Sequence, residues 1–160
     1  MKALSKSRFK QGLECPNKLY FSNNNDVYHN VKNEDPFLQA LASGGFQVEE
    51  YARLQYPGGV LIEDPEDREN YDYQDLANQT SELLKQENVV IYEAAFYIND
   101  LFIRTDVLVK KGTHIQLIEV KAKSLDPSQP YNFVGKSKKL VSSWKPYLFD
   151  LAFQTYVTQL

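Results

Sequence analysis

The stretch Ile103-Arg-Thr-Asp106-Val-Leu-Val-Lys-Lys-Gly-Thr-His-Ile-Gln-Leu-Ile-Glu119-Val-Lys121 decides how this chain folds. It reads as two strands of alternating apolar residues joined at Lys111-Gly112, a hairpin-like turn. Side chains in a strand alternate between faces, so Glu119 and Lys121 project to one side while Ile118 and Val120 point into packing. Leu101, Ile103, Thr105, Val107 and Val109 form a row facing away from Asp106, and Phe102, Arg104 and Leu108 accompany it. Both strands are therefore expected to be covered on both faces, as in a central sheet. Acids alternating with lysines usually mean no more than the wet face of a half-exposed strand. Here Glu119 and Lys121 end the apolar row begun by Ile115 and Leu117, and charges at the end of covered strands need partners or a metal.

A paired hairpin brings Asp106 opposite Glu119. Two carboxylates and an ammonium then converge, and hard oxygen ligands suit Mg²⁺ or Mn²⁺. A lysine beside them can orient or help deprotonate a water. That is the equipment for metal-assisted phosphodiester hydrolysis.

Asp, a short hairpin, then Glu-x-Lys resembles the core motif of the PD-(D/E)XK nuclease superfamily. Three further segments resemble its RecB-type exonuclease branch, which includes CRISPR-associated RecB-like exonucleases and uncharacterised bacterial relatives. These are the opening Leu4 to Tyr20 with its Ser5-Lys-Ser and Cys15-Pro-Asn-Lys, the segment Gly45 to Ala52, and Phe153-Gln154-Thr-Tyr156. Together they span nearly the whole chain. The resemblance implies an α/β fold with a restriction-endonuclease-like core, a mixed central sheet flanked by helices, and a metal-dependent DNA nuclease. It implies that Asp106, Glu119 and the backbone carbonyl of Val120 hold the metal, with Glu49 or Glu50 adding a carboxylate. It gives Lys121 the attacking water and Gln154 a bracing or substrate-backbone role.

The chain departs from that pattern in three places. Glu49 stands where many relatives carry a histidine. Thr158 occupies the position four residues after Gln154 that is usually tyrosine, and Tyr156 lies about 200° around the helix from Gln154. Many relatives hold an iron–sulfur cluster with four cysteines, whereas Cys15 is alone and one thiolate cannot hold it. Such a cluster would need residues beyond Leu160. The end of the chain lacks a helix-terminating signal, so C-terminal truncation is one expectation and a natural short form the other.

Composition bounds the remaining readings. The chain has 160 residues, 42% of them hydrophobic and 13% aromatic, enough for one globular domain with a real core. We divide it into an N-terminal helical segment, 1–42, and a catalytic core, 43–160. No apolar run is long enough to span a bilayer, and the basic start lacks the apolar stretch of a secretory signal. The lone cysteine then points to the cytoplasm. The net charge of −3 argues against a broadly basic nucleic-acid surface. Two local clusters, Lys2, Lys6, Arg8, Lys10 and Lys136, Lys138, Lys139, suit phosphate contacts or plain solvation. The region 24–87 is acid-rich around Glu63 to Glu69.

Local signals complete the outline. Ser5 caps a short helix that Cys15-Pro16 interrupts. Asp35-Pro36 opens a helix to about Ala42, and Gly44-Gly45 breaks the chain before a helix from Val48 to Tyr56. Val60 to Ile62 is a short strand and Tyr73 to Gln86 an amphipathic helix. Val89 to Ile98 is a strand turned by Asn99-Asp100, and a helix over Phe149 to Leu160 closes the chain. Glu93 either points toward the site or anchors Arg104 across the hairpin. His29 and His114 lack a ligand-like spacing. A non-catalytic nucleic-acid-binding or regulatory module on the same fold is the competing function. A structural domain whose carboxylates merely pair with Lys121 is the third.

Overall fold

The computed structural model describes residues 3–24, 26–28, 35–64, 72–124, 126–128 and 133–160. His29 and most of the acidic run after Asp64 lie outside them. Strands β1 (Leu4–Ser5), β2 (Val60–Leu61), β3 (Asn88–Ile98), β4 (Leu101–Lys111) and β5 (His114–Ile118) form one mixed sheet. Helices α1 (Lys6–Glu14), α2 (Pro16–Asn23), α3 (Pro36–Leu54), α4 (Tyr73–Leu83) and α5 (Lys145–Thr158) complete the α/β architecture. Among the described residues no helix is long and apolar enough to cross a membrane.

The β3–β4 hairpin is the frame. Its strands pair antiparallel along their whole length, from Asn88 opposite Lys111 to Ile98 opposite Leu101. Asn99 (φ 50°) and Asp100 (φ 62°) both adopt the left-handed region, which a two-residue turn matched to strand twist requires. β4 is buried on both faces as expected. Its even positions Phe102 and Leu108 join Ile91, Ala95, Ile62 and Leu76 in one apolar cluster, roofed by α4. Its odd position Ile103 joins Phe153 and Val157 of α5, with Leu4 and Phe9 packed against them. Phe9 stacks on Phe153 with ring centroids 4.5 Å apart, which docks α1 on α5.

The far edge of β4 positions the site. β1 runs parallel to β4 at Leu101 and Phe102, while β5 runs antiparallel from Lys111 back to Val107. The two short strands therefore approach each other along one edge and stop short of meeting. The gap lies at Ile103 to Asp106, where Ser5 leads into α1 on one side and β5 has ended at Ile118 on the other. β2 pairs parallel with β3 at the opposite edge, Val60 with Ile91.

Two expectations are corrected. β5 is not covered on both faces: His114, Ile115 and Gln116 are exposed, because β5 is an edge strand that pairs only with β4 among the described residues. Gly44-Gly45 does not break the chain, since α3 runs unbroken from Pro36 to Leu54. Two glycines cost about 2 kcal/mol of helix propensity together. Against that stand Asp35, which accepts from the Phe37 and Leu38 N–H groups at 2.9 and 3.3 Å, Pro36 at the first position, and an anchored C-terminal end. The boundary drawn at residues 42 and 43 therefore falls inside a helix, and the N-terminal segment supplies a strand of the sheet.

Candidate active site

The hairpin brings the acids together, as the strand phases require. The register that sets Val107 opposite Ile118 sets Asp106 opposite Glu119, just past the end of β5. The Val120 N–H donates to Asp106 Oδ2 at 2.6 Å, which fixes the aspartate. The Lys121 ammonium donates to Glu119 Oε1. From α5, Gln154 Nε2 donates to Glu119 Oε2 at 2.6 Å. Gln154 is itself buried, so the sheet edge and the last helix lock the glutamate from two sides. Thr158 spends its hydroxyl on the Gln154 and Thr155 carbonyls of its own helix, and Tyr156 is exposed.

Lys6 completes the centre, and sequence reasoning missed it. Its ammonium lies 3.1 and 3.2 Å from the two oxygens of Glu119 and 3.7 Å from Asp106 Oδ1. The sequence grouped it with a basic cluster suited to phosphate contacts or plain solvation, because its partner is 113 residues away. Lys10, one turn on, does the same for the fully buried Asp150 at 2.9 Å. The one available signal was its place directly after a residue that could end a strand.

α3 sets the two glutamates apart. Tyr92 on β3 donates from its hydroxyl to the Arg53 carbonyl at 3.2 Å and to the Tyr56 carbonyl, and accepts from the Gly59 N–H at 3.3 Å. A side chain at position 59 would collide with the Tyr92 ring, so only glycine fits that close approach. So held, α3 presents Glu49 to the cavity that Lys6 and Asp106 line. Glu50 is exposed and borders a separate depression with Gln47, Tyr51 and Leu54. It does not line the cavity of Lys6 and Asp106, because successive helical residues diverge by about 100°.

Glu93 fulfils both readings offered for it. It accepts from Arg53 Nη2 at 3.3 Å and pairs with Arg104 Nε at 3.5 Å, and it lines the same 490 Å³ cavity as Glu49 and Asp106. It does so from a left-handed backbone, φ 57°, directly where β3 passes Asp106. Such strain in a non-glycine residue concentrates at functional sites. Arg104 also bonds Asp64 and the Ile62 carbonyl, closing the wall beside β2.

The electrostatics split the two central acids. Burial pushes the Asp106 carboxyl above its ordinary pKa, and Lys6 only partly offsets this. Glu119 goes the other way: burial opposes its charge, but Lys6, Lys121 and Gln154 together hold it below the usual range. Burial also raises Glu49, with Asp106 adding to it, and raises Glu93 against the pull of Arg104. Burial works against the Lys6 charge, yet Glu119 and Asp106 overcome it and keep the ammonium protonated beyond its normal range. Adjacent titratable groups pushed apart in this way suit acid–base work.

Among the described residues no three His, Cys, Asp or Glu side chains are gathered as a set that could hold a metal ion. What the site offers is a pair of hard carboxylates already sharing a cation, the Lys6 ammonium, with Glu49 across the cavity. The donor chemistry fits Mg²⁺ or Mn²⁺. Cys15 stands elsewhere, half-buried between α1 and α2 with a free thiol, and its neighbour Leu13 is exposed. Comparison with protein-family models, with curated proteins and with solved structures finds no match to this chain.

Proposed function

We propose that the chain is a metal-dependent DNA nuclease of the PD-(D/E)XK, RecB-like type, built on a restriction-endonuclease-like core. One observation carries the reading: at the gap in one sheet edge Lys121 and Gln154 bond Glu119, which stands opposite Asp106, and Glu49 lines the cavity beside Asp106. Asp106 and Glu119 would hold Mg²⁺ or Mn²⁺, with Glu49 and the Val120 carbonyl as further oxygens. Bound there, the ion supplies positive charge to a phosphoryl oxygen and eases deprotonation of a water. Lys121 holds the attacking water against Glu119 and balances charge developing on the phosphate. Gln154 fixes the Glu119 rotamer, and Arg104 and Arg53 hold Glu93 at the cavity wall. Water adds to phosphorus, one P–O ester bond breaks, and a phosphomonoester and a hydroxyl leave.

The test is cleavage of single- and double-stranded DNA with Mn²⁺, with Mg²⁺ and with chelator. Cleavage should need the divalent ion and fall by about 100-fold or more in Glu119→Ala and Lys121→Ala, the scale of losing a transition-state charge partner. Lys121→Ala should still bind Mn²⁺, because the lysine acts on the water. Full cleavage by either variant defeats the assignment. A purely structural reading draws on one fact, that Lys6 and Lys121 already neutralise Glu119; it requires that no saturable Mn²⁺ site exist.

A further inference from the structure

We infer that the Lys6 ammonium is an internal substitute for the divalent cation, seated between Asp106 and Glu119 and displaced when the cation binds. The inference rests on the metal site proposed above and concerns what guards it.

Three observations carry it. Lys6 touches both carboxylates, at 3.1 to 3.7 Å, so a cation serving the same two oxygens competes for the same space. Lys6 also belongs to the cavity wall, as Asp106 does, whereas Glu119 does not; the ammonium stands on the approach to the glutamate. Finally, local structure does not account for a lysine here. Lys6 is the first residue of α1, whose opening turn carries no acid, and a cation at that end opposes the helix dipole. Its position is therefore set by the carboxylates. Its side chain is 22% exposed toward the cavity, and its long flexible stem lets the ammonium swing out without moving α1. In the absence of a divalent ion it relieves repulsion between two buried acids, and when the ion arrives it is released to the cavity where a phosphodiester would lie.

The test is Mn²⁺ affinity, measured by calorimetry on the whole chain, for wild type, Lys6→Met and Lys6→Arg. Methionine keeps the stem and removes the charge. Lys6→Met should bind Mn²⁺ about tenfold or more tightly, the worth of the charge-assisted hydrogen bonds that no longer have to be broken, and Lys6→Arg should show no such gain. A second measurement needs no variant: Mn²⁺ should speed acylation of Lys6 Nζ in wild type, read by mass spectrometry, and leave Lys10 unchanged. Equal Mn²⁺ affinity in wild type and Lys6→Met, or Lys6 reactivity indifferent to bound Mn²⁺, overturns the inference and leaves the metal site standing. Absence of Mn²⁺ binding in wild type and Lys6→Met alike overturns the metal site and this inference with it.

Discussion

The β3–β4 hairpin and the gap on its free edge are built on opposite principles, although they share Asp106. The hairpin is made of neighbours in sequence, apolar on both faces and closed by a two-residue turn. Ile91 and Leu108 face each other fully buried. The gap gathers Lys6, Glu49, Glu93, Asp106, Glu119 and Gln154 from distant parts of the chain, and nearly every one is charged. The first region stabilises the fold through area removed from water. The second stores desolvated charge that the fold must tolerate. Stability and chemistry are thereby separated in space, and substitutions should separate them as well.

The largest effect is expected in the hairpin. Ile91→Ala, at a fully buried site, should cost about 3 kcal/mol through lost transfer free energy and the cavity left behind. Lys121→Ala should leave the free energy of unfolding within about 0.5 kcal/mol of wild type, since the lysine is part-exposed. Urea denaturation of the two variants checks this. If Lys121→Ala unfolds the protein as Ile91→Ala does, the gap is structural scaffolding and the division fails.

A second expectation concerns how the frame is fastened to α4. Thr80 is buried, donates to the Leu76 carbonyl at 3.3 Å and accepts from the Ala95 N–H at 2.8 Å. Thr80→Val keeps the shape and orphans a buried amide of β3. The cost should be about 2 kcal/mol, within the range for an unsatisfied buried donor. Hydrogen exchange should report faster opening at Ala95 in particular.

Much of the hairpin was legible in the sequence, and little of the gap's closure was. The period of two in Val89 to Ile98 and Ile103 to Ile118, with Asn99-Asp100 and Gly112 between, carries pairing and register locally. Register then carries Asp106 to Glu119. Asp35-Pro36, Ser5 and Cys15-Pro16 likewise mark helix ends by their own chemistry, and all three do so in the fold. The rest failed for one physical reason, namely that the deciding partner is remote. Lys6 looks like surface charge until Glu119 is beside it. α3 looks broken at Gly44-Gly45 until Tyr92 pins its far end, and β5 looks buried until it is known to be the edge.

The opposed shifts of the two central acids give a test by pH. Glu119 is held below its unfolded pKa, so it contributes stability above that value and the contribution is lost as pH falls through the folded one. Asp106 is held above its unfolded pKa, so its ionised form costs stability at neutral pH and the cost disappears as pH falls. Glu119→Gln should therefore be less stable than wild type at pH 7, and Asp106→Asn more stable. Both differences should shrink toward zero in acid, from opposite sides. Denaturation of the two variants at neutral and acidic pH reads this directly. Differences of the same sign would mean that the acids share their burial and partners more evenly than the geometry implies.

The smallest effect compares one backbone conformation in the two regions. Asp100 in the hairpin turn and Glu93 beside the gap have nearly the same left-handed φ, 62° and 57°. Glycine adopts that region without strain, so Asp100→Gly should stabilise the chain by somewhat under 1 kcal/mol. Its side chain gives up only an exposed bond from the Tyr97 hydroxyl, and its carbonyl still accepts from Leu4. Glu93→Gly relieves the same backbone strain but removes the carboxylate that holds Arg53 and Arg104. It should gain nothing, and should loosen α3 and with it the presentation of Glu49. A gain of equal size at both positions would show that Glu93 is strained for no purpose. A gain confined to Asp100 would show that the strain beside Asp106 is maintained by what its side chain does.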